Sequence, residues 1–506
     1  MVTVEKNTPP TDALKTITVR NPITGETIGT IPIQTQDEVR AAVERARAAQ
    51  PAWNAIGVRE RARLINRWRL ALWEDQAAMI DLIRAETGKA EGGALTEIIV
   101  TDLIAQFNIR EAPRRLRPQS RKPAFPIVHR SKVFFKPYGV VGFITPWNYP
   151  LLNGVGDIVA ALITGNTAVI KPSEVTPFTA IRAIELMHKS GIPADVVQII
   201  TGAGSTGAAL LDYVDYVSFT GSTATGRKIA VRCAERLIPC SLELGGKDPA
   251  IVMPDSDLDA AAKGVLTGAL ENAGQVCVSI ERIYVDQSIY DPFMQKLLEN
   301  ANQLYFCGGK GLDVHFGSLT NERELIRTEK QLADAVEKGA KVVFGGKRRP
   351  DLGPLFFEPT ILTDVDHSME VMREETFGPL VPVMKVANEA EAIRLANDNR
   401  YGLSASVFGK DRAHAEKIAR QIVAGDVAIN HPMLTFGTPG APMGGAPGRE
   451  SGLGRRNGFE GMMRFVSPQA ITYDTGWATP PGLSHTPPRA VFLARLMHNL
   501  RRVLPI

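Results

Sequence analysis

The chain is 506 residues long, 44% hydrophobic and 22% charged, with a formal net charge of +4. That length allows a large core and about two to four domains, and the composition excludes a disordered or fibrous chain. The nearly balanced charge, with no basic face interleaved with aromatic residues, excludes nucleic acid as the expected partner. The four cysteines, Cys233, Cys240, Cys277 and Cys307, form no CxxC pair and stand at no zinc-ligand spacing, so the chain reads as reduced, intracellular and without a metal. The opening segment MVTVEKNTPPTD lacks the charged-then-apolar pattern of a secretion signal, and no apolar run reaches the roughly 18 residues of a membrane span. Cytoplasmic localisation is the expectation.

Over residues 35–90, apolar positions recur at three- and four-residue spacing with arginines between them, which predicts amphipathic helices. Residues 110–130 form the densest basic segment, and Pro113, Pro118, Pro123 and Pro126 predict an exposed linker there. Strands are expected over 140–144, 167–170, 196–200 and 214–219, with a helix over 178–190 and another opened by the turn Thr220-Gly221-Ser222-Thr223. This alternation predicts an open parallel sheet with its ligand at the carboxyl ends of the strands, where Asn148, Lys171, Glu174 and Ser222 fall. A second α/β block has strands expected at 250–252, 282–285, 341–344, 381–385 and 406–408. Glycine and proline thicken over 431–458, a predicted long loop. The tail, 488–506, spaces Phe492, Leu496, Leu500 and Leu504 as an amphipathic, basic helix. It either packs on its own or a neighbouring subunit or makes a peripheral contact with an anionic membrane surface.

Taken singly, the chemistry-bearing stretches stay open. Cys277, in ENAGQVCVSIER at 271–282, suits a packed small hydrophobe, a metal ligand or a nucleophile. FTGSTATG at 219–226 supplies backbone N–H groups and a helix N-terminus suited to a phosphate, without being GxGxxG. Lys171 in VIKPSE suits a solvated turn as well as a ligand contact. Glu243 follows an apolar stretch and precedes Gly245-Gly246; partly desolvated there, it would have a raised pKa and could serve as a base.

Six stretches stand in a recognisable order: FITPWNY at 143–149, KPSE at 171–174, FTGST at 219–223, LELGGK at 242–247, GQVC at 274–277 and EETFGP at 374–379. Their order and approximate spacing resemble those of the aldehyde dehydrogenase superfamily, over about residues 19–470. The resemblance implies an α/β, three-part fold. A Rossmann-like dinucleotide-binding domain would span 1–118 and 138–245, and a catalytic α/β domain 246–444. A small oligomerisation sheet would come from 119–137 and 462–474, with the tail at 475–506. Homodimers or homotetramers are implied as well.

The activity implied is NAD(P)-dependent oxidation of an aldehyde to a carboxylic acid. Cys277 would be the nucleophile that forms a thiohemiacetal, with the Asn148 side-chain amide and the Cys277 backbone N–H holding the oxyanion. Glu243 would activate the water that hydrolyses the thioester. Lys171 belongs to the catalytic set and, with Glu174, would hold the adenine-side ribose. Ser222 and its helix would take the pyrophosphate, Glu375 and Phe377 the nicotinamide end. Ile144, Thr145, Trp147, Ser173, Gly204, Gly221, Thr225, Leu244 and Gly245 complete the implied cofactor site. A carboxylate at Glu174 repels a 2′-phosphate, so NAD is favoured over NADP.

The match departs in two places. The late loop carries Pro442-Met443-Gly444-Gly445 and then Arg455-Arg456, where superfamily members often have an acidic residue. The segment LLNGVGDIVAAL at 151–162 offers Asn153 and Gly156 where many members place a tryptophan, which predicts a wider or more polar tunnel and a bulky or ω-functionalised aldehyde. The version GQVCVSIERIYV of the nucleophile motif resembles bacterial succinate-semialdehyde dehydrogenases, and Arg114 or Arg115 is the nearest candidate by position for a substrate carboxylate. Two alternatives are a CoA-acylating aldehyde dehydrogenase, against which Glu243 argues, and an inactive binding or regulatory member, against which Cys277, Asn148, Glu243 and Lys171 argue.

Overall fold

Runs rich in valine, isoleucine and alanine, buried on both faces, make the centres of two large sheets, as parallel strands covered by helices require. The computed structural model describes residues 16–123 and 129–475, with a few helical residues between 491 and 499. Of the amphipathic tail helix expected over 488–506, Val491, Phe492, Arg495, Leu496, His498 and Asn499 are described and are helical, and the rest lies outside the described residues.

The first sheet has six strands in the order Gly452–Leu453, Cys240–Glu243, Tyr216–Thr220, Val140–Ile144, Thr167–Lys171, Val197–Ile199. All neighbours are parallel except Gly452–Leu453, which joins antiparallel to Cys240–Glu243. The chain leaves Val140–Ile144 for one side and returns on the other with Tyr216–Thr220. The order of the sheet thus reverses beside Val140–Ile144, and a crevice opens at the carboxyl ends there.

Helix Gln36–Ala55 covers this sheet. Thr35 starts it with a capping box: its Oγ1 accepts the Glu38 N–H at 3.3 Å, and its own N–H donates to the Glu38 carboxylate at 2.7 Å. Such a cap contributes about 1 kcal/mol. The buried stripe Val39, Ala42, Val43, Ala46 then packs on Val140, Val169 and Val217.

The second sheet has seven strands in the order Lys341–Phe344, Thr360–Thr363, Leu380–Val386, Ile280–Asp286, Asp248–Val252, Ser404–Phe408, Asp426–Ile429. Only the edge pair Lys341–Phe344 and Thr360–Thr363 is antiparallel. A third, antiparallel sheet joins Val466–Asp474 to His129–Pro137 and His129–Pro137 to Gln119–Arg121. Beyond Val466 its outer strand is exposed along its whole length.

Within 110–130, residues 110–115 depart from the expected linker, and Pro126 lies outside the described residues. Arg110 to Arg115 close the helix Glu91–Arg115, and Pro113 sits inside it. A proline in the last turn forfeits only one backbone hydrogen bond, and burial of Ala105, Asn108 and Ala112 on the same helix outweighs that cost. The expected loop at 431–458 also carries a short 3-10 turn, Pro432–Thr435, and the strand Gly452–Leu453. Among the described residues, no helix is long and apolar enough to cross a membrane.

Candidate active site

Cys277 follows a backbone reversal. After helix Leu258–Leu270, Asn272, Ala273 and Gly274 all take positive φ, at 51°, 57° and 77°. A side chain at Gly274 would collide with the Gly378 carbonyl oxygen, so both the conformation and the close approach call for glycine. Left-handed backbone at non-glycine residues costs about 1–3 kcal/mol each and persists only where the surroundings impose it. Gln275 imposes it here: its amide donates to the Asn272 carbonyl at 2.9 Å, and its Oε1 accepts the Thr320 N–H at 2.9 Å.

The cleft that Cys277 enters has a volume of about 90 Å³. Trp147, Asn148, Gly221, Ser222, Glu243, Leu244, Gly245, Glu375 and Phe377 line it as well. A separate cavity of about 750 Å³ is lined by Ile144, Lys171, Gly204 and Thr225. Lys171, grouped with the catalytic set on sequence grounds, is thus placed in the second cavity and does not line the first. Thr145, Ser173 and Glu174 line neither. Thr145 is buried, Ser173 Oγ accepts the Val175 N–H at 3.2 Å, and the Glu174 carboxylate receives Lys171 Nζ at 2.8 Å.

Burial pushes the Cys277 thiol up to about 12; the Arg456 guanidinium pulls the other way, and the carboxyls of Asp248, Glu375 and Glu243 add to the rise. The resting group is therefore a thiol that needs a base. Glu243 is 6% exposed, and neither of its oxygens accepts a hydrogen bond. Burial raises it to about 7, against the pull of Arg464 and Arg456. Such a group is half ionised near neutral pH, which suits proton transfer. Glu375 is raised to about 8, by burial and by Glu281, and accepts the Gly246 N–H at 3.2 Å. A Cβ at Gly245 would stand 2.6 Å from both Glu375 oxygens, so glycine makes room for that carboxyl.

Two buried ion pairs hold the walls. Lys89 and Glu97, both without solvent exposure, pair with each other. Lys89 Nζ also donates to the Asn148 carbonyl at 2.8 Å, and Glu97 accepts the N–H groups of Leu151 at 3.0 Å and Leu152 at 3.2 Å. The Asn148 side chain meanwhile donates to the Gln275 carbonyl at 2.9 Å, tying the oxyanion candidate to the nucleophile loop. On the opposite wall, Lys247 reaches Glu281 at 2.6 Å, and Glu281 accepts the N–H groups of Thr376 at 2.8 Å and Phe377 at 3.0 Å. That grip fixes Phe377 at φ 54°. Neither pair is visible in the sequence, where each lysine and glutamate reads as an ordinary charge.

The substrate side corrects one expectation. The cavity there, lined by Cys277, Asn153 and Arg456 among others, measures about 20 Å³, and Asn153 and Arg456 bring polar groups to its wall. Leu152 and Ile104 occupy the space beside Gly156, 3.7 and 4.0 Å from where its Cβ would be. Arg114 and Arg115 are not brought to the cleft: they pair with Glu111 at 2.7 and 3.1 Å, with side chains 65% and 41% exposed. The cation that does line the cavity is Arg456, at the position where an acid was expected; it is 5% exposed.

A dinucleotide fits these residues. The larger cavity is within the range of cofactor sites, and beside it the helix Thr223–Arg236 presents its N-terminus, capped by Ser222 Oγ on the Thr225 N–H at 3.4 Å. Fold and clefts together define a dinucleotide-dependent dehydrogenase. The aldehyde dehydrogenase family model matches residues 9–471. A Mycolicibacterium smegmatis protein named "Putative succinate-semialdehyde dehydrogenase (NADP(+))" is 41% identical over 462 residues, 91% of this chain and 89% of its own. The glutarate-semialdehyde dehydrogenase of Pseudomonas aeruginosa is 39% identical over 455 residues, 89% of this chain and 93% of its own. Among solved structures, the betaine aldehyde dehydrogenase of Staphylococcus aureus in complex with NAD+ superposes with a TM-score of 0.88 at 35% identity, covering 93% of this chain and 94% of that one. The chain belongs to the aldehyde dehydrogenase family and is an NAD(P)-dependent enzyme of aldehyde oxidation.

Proposed function

We propose that the chain oxidises a short, ω-carboxylated aldehyde to the corresponding diacid through a thioester on Cys277 that water hydrolyses, with NAD favoured over NADP. The observation that carries the reading is the pair of unpartnered Glu243 oxygens, buried in the same cleft as a protonated thiol.

Ionised Glu243 takes the thiol proton, directly or through one water, as the sulfur attacks the aldehyde carbon. Charge then develops on the former carbonyl oxygen. The Asn148 amide, with one N–H on the Gln275 carbonyl and the other free for substrate, and the Cys277 backbone N–H receive it. Losing one such donor typically costs about 3 kcal/mol in the barrier. A nicotinamide dinucleotide, when bound, supplies the hydride acceptor that converts the thiohemiacetal to a thioester. Trp147 and Phe377, edge to face at 5.4 Å, frame that end of the cleft. Glu243 passes the thiol proton to solvent and, ionised again, takes a proton from the water that attacks the thioester; the departing Cys277 sulfur recovers that proton as the carbon–sulfur bond breaks and the acid is released.

For the cofactor, the Lys171–Glu174 pair would contact the adenine-side ribose. Burial works against the charged form of Glu174, and the Lys171 ammonium outweighs it, holding the carboxyl below its ordinary range. A charged Glu174 accepts a hydrogen bond from a 2′-hydroxyl and repels a 2′-phosphate. The M. smegmatis relative carries NADP(+) in its name and the S. aureus structure holds NAD+, so the ratio must be measured on this chain.

The substrate class rests on the names of the two semialdehyde relatives and on a small cavity, which favours a short chain over a bulky one. We assign the dinucleotide-binding domain to 1–118 and 138–245, the catalytic domain to 246–444 and the bridging sheet to 119–137 and 462–474. The exposed outer strand Val466–Asp474 is the surface by which subunits would pair into dimers or tetramers. The test is reduction of NAD and NADP with aldehydes from succinic semialdehyde to aromatic and long-chain members. Turnover confined to aromatic aldehydes overturns the substrate class. A thioester appearing only when CoA is added overturns hydrolysis by Glu243.

A further inference from the structure

Arg456 is the single charged residue among those lining the cavity next to Cys277; its neighbours there include Val100, Ile104, Leu152, Val276 and Met443. A carboxylate entering such a wall unpaired would lose its hydration with nothing in return. The guanidinium is clamped in place. Its Nε donates to Asp157 Oδ1 at 3.0 Å, Nη1 to Asn153 Oδ1, and Nη2 to the Leu152 carbonyl at 3.3 Å. Its backbone exchanges hydrogen bonds with Met443 at 2.6 and 2.7 Å. One N–H remains on each terminal nitrogen.

The local charge count leaves room for an anion. Asp157 serves two guanidiniums at once, Arg456 at 3.0 Å and Arg464 at 3.0 Å. The next carboxyl, Glu243, is 3.9 Å from Arg464 and only partly ionised near neutral pH. Asn153, whose Oδ1 faces Arg456, keeps its amide N–H groups for a second contact and lines both cavities.

We infer that Arg456 is the specificity-determining residue for the carboxylate of the substrate, holding it a few carbon atoms from the aldehyde carbon seated on Cys277. The inference rests on the substrate class proposed above. Arginine suits the task because its planar fork binds a carboxylate through parallel N–H groups, and a fork already fixed by Asp157 and Asn153 loses little entropy when it does so.

The experiment compares succinic semialdehyde with butanal, which has the same carbon count and no carboxylate, on wild type, Arg456→Gln and Arg456→Lys. The expected result is a fall of at least about 30-fold in the ratio of kcat/KM for the semialdehyde over butanal in Arg456→Gln, carried by KM, with part of the ratio retained in Arg456→Lys. Equal losses on both aldehydes would show that Arg456 serves the thiol or the fold, and would overturn the inference. An unchanged ratio would overturn it too. Should neither variant fold, wild type is tested with the amide isostere of the semialdehyde, and equal kcat/KM for the two overturns it. A wild type that does not turn over the semialdehyde sinks the proposed substrate class first; a wild type that does, with a ratio indifferent to Arg456, sinks this inference alone.

Discussion

Nη1 of Arg464 stands 3.9 Å from Oε1 of Glu243, beyond hydrogen-bond reach, while Arg464 Nη2 is held by Asp157 at 3.0 Å. The guanidinium therefore lowers the cost of charging Glu243 without occupying its oxygens. A carboxyl in full contact with that arginine would be a spent ion pair; one buried without it would stay neutral.

Steady-state turnover should rise through pH about 7 as Glu243 ionises, since both proton removals use its charged form. In Glu243→Gln the steady-state rate should drop roughly 10²- to 10⁴-fold. A stopped-flow burst of reduced cofactor that survives the substitution would show that hydrolysis, and not thioester formation, carries the loss. A pH profile identical to wild type would sink the assignment.

The same carboxyl should destabilise the fold. Its folded pKa, about 7, lies above the ordinary value of 4.5, so its protonated form favours the native state and that advantage is lost as pH rises through 7. A displacement of that size corresponds to about 3 kcal/mol as an upper figure. Glu243→Gln should therefore melt higher than wild type at pH 8 and close to it at pH 5, by calorimetry.

Breaking the Lys89–Glu97 pair should be costly, because either partner left alone is a buried charge. Lys89→Met is expected to lose about 3–5 kcal/mol in urea unfolding, and the double variant Lys89→Met with Glu97→Leu less than the sum of the single ones. Because the pair also holds the Asn148 carbonyl and the Leu151 and Leu152 N–H groups, kcat/KM should fall in Lys89→Met even at temperatures where it is fully folded.

Gly245→Ala should displace Glu375, whose oxygens lie 2.6 Å from the added carbon. A shift of about an ångström at that wall is expected to cost roughly 100-fold in kcat/KM with little change in melting temperature. Crystals of the variant with Glu375 unmoved would contradict this account.

Under the proposed cofactor contact, Glu174→Gln removes the charge set beside the 2′ position and should raise the NADP-to-NAD ratio of kcat/KM about tenfold, a change near 1.4 kcal/mol. Parallel titrations with the two cofactors read it directly.

Much of the framework was legible before any coordinates. The apolar run expected at 140–144 is a strand with those bounds, because a strand buried on both faces leaves an unbroken hydrophobic signature; the run expected at 341–344 is also a strand with its expected bounds, though it lies exposed at the edge of its sheet. Residues 110–115 were misread as linker, since proline's local cost is plain in sequence and the burial that offsets it is not. Arg456 reads in the sequence as a lost acid, and only its contacts with Asn153 and Asp157, some 300 positions away, show it as a lining cation.

The sequence by itself determined the class of fold, through periodicity and glycine-marked turns, and the set of chemical groups on offer, through motifs whose order survives without coordinates. Only the tertiary structure decided what those groups are. Whether Cys277 is thiol or thiolate, Glu243 a charge or a base, and which of many arginines faces substrate depends on burial and on neighbours far apart in the chain. Desolvation and Coulomb energies act through space, and a linear text carries no distances.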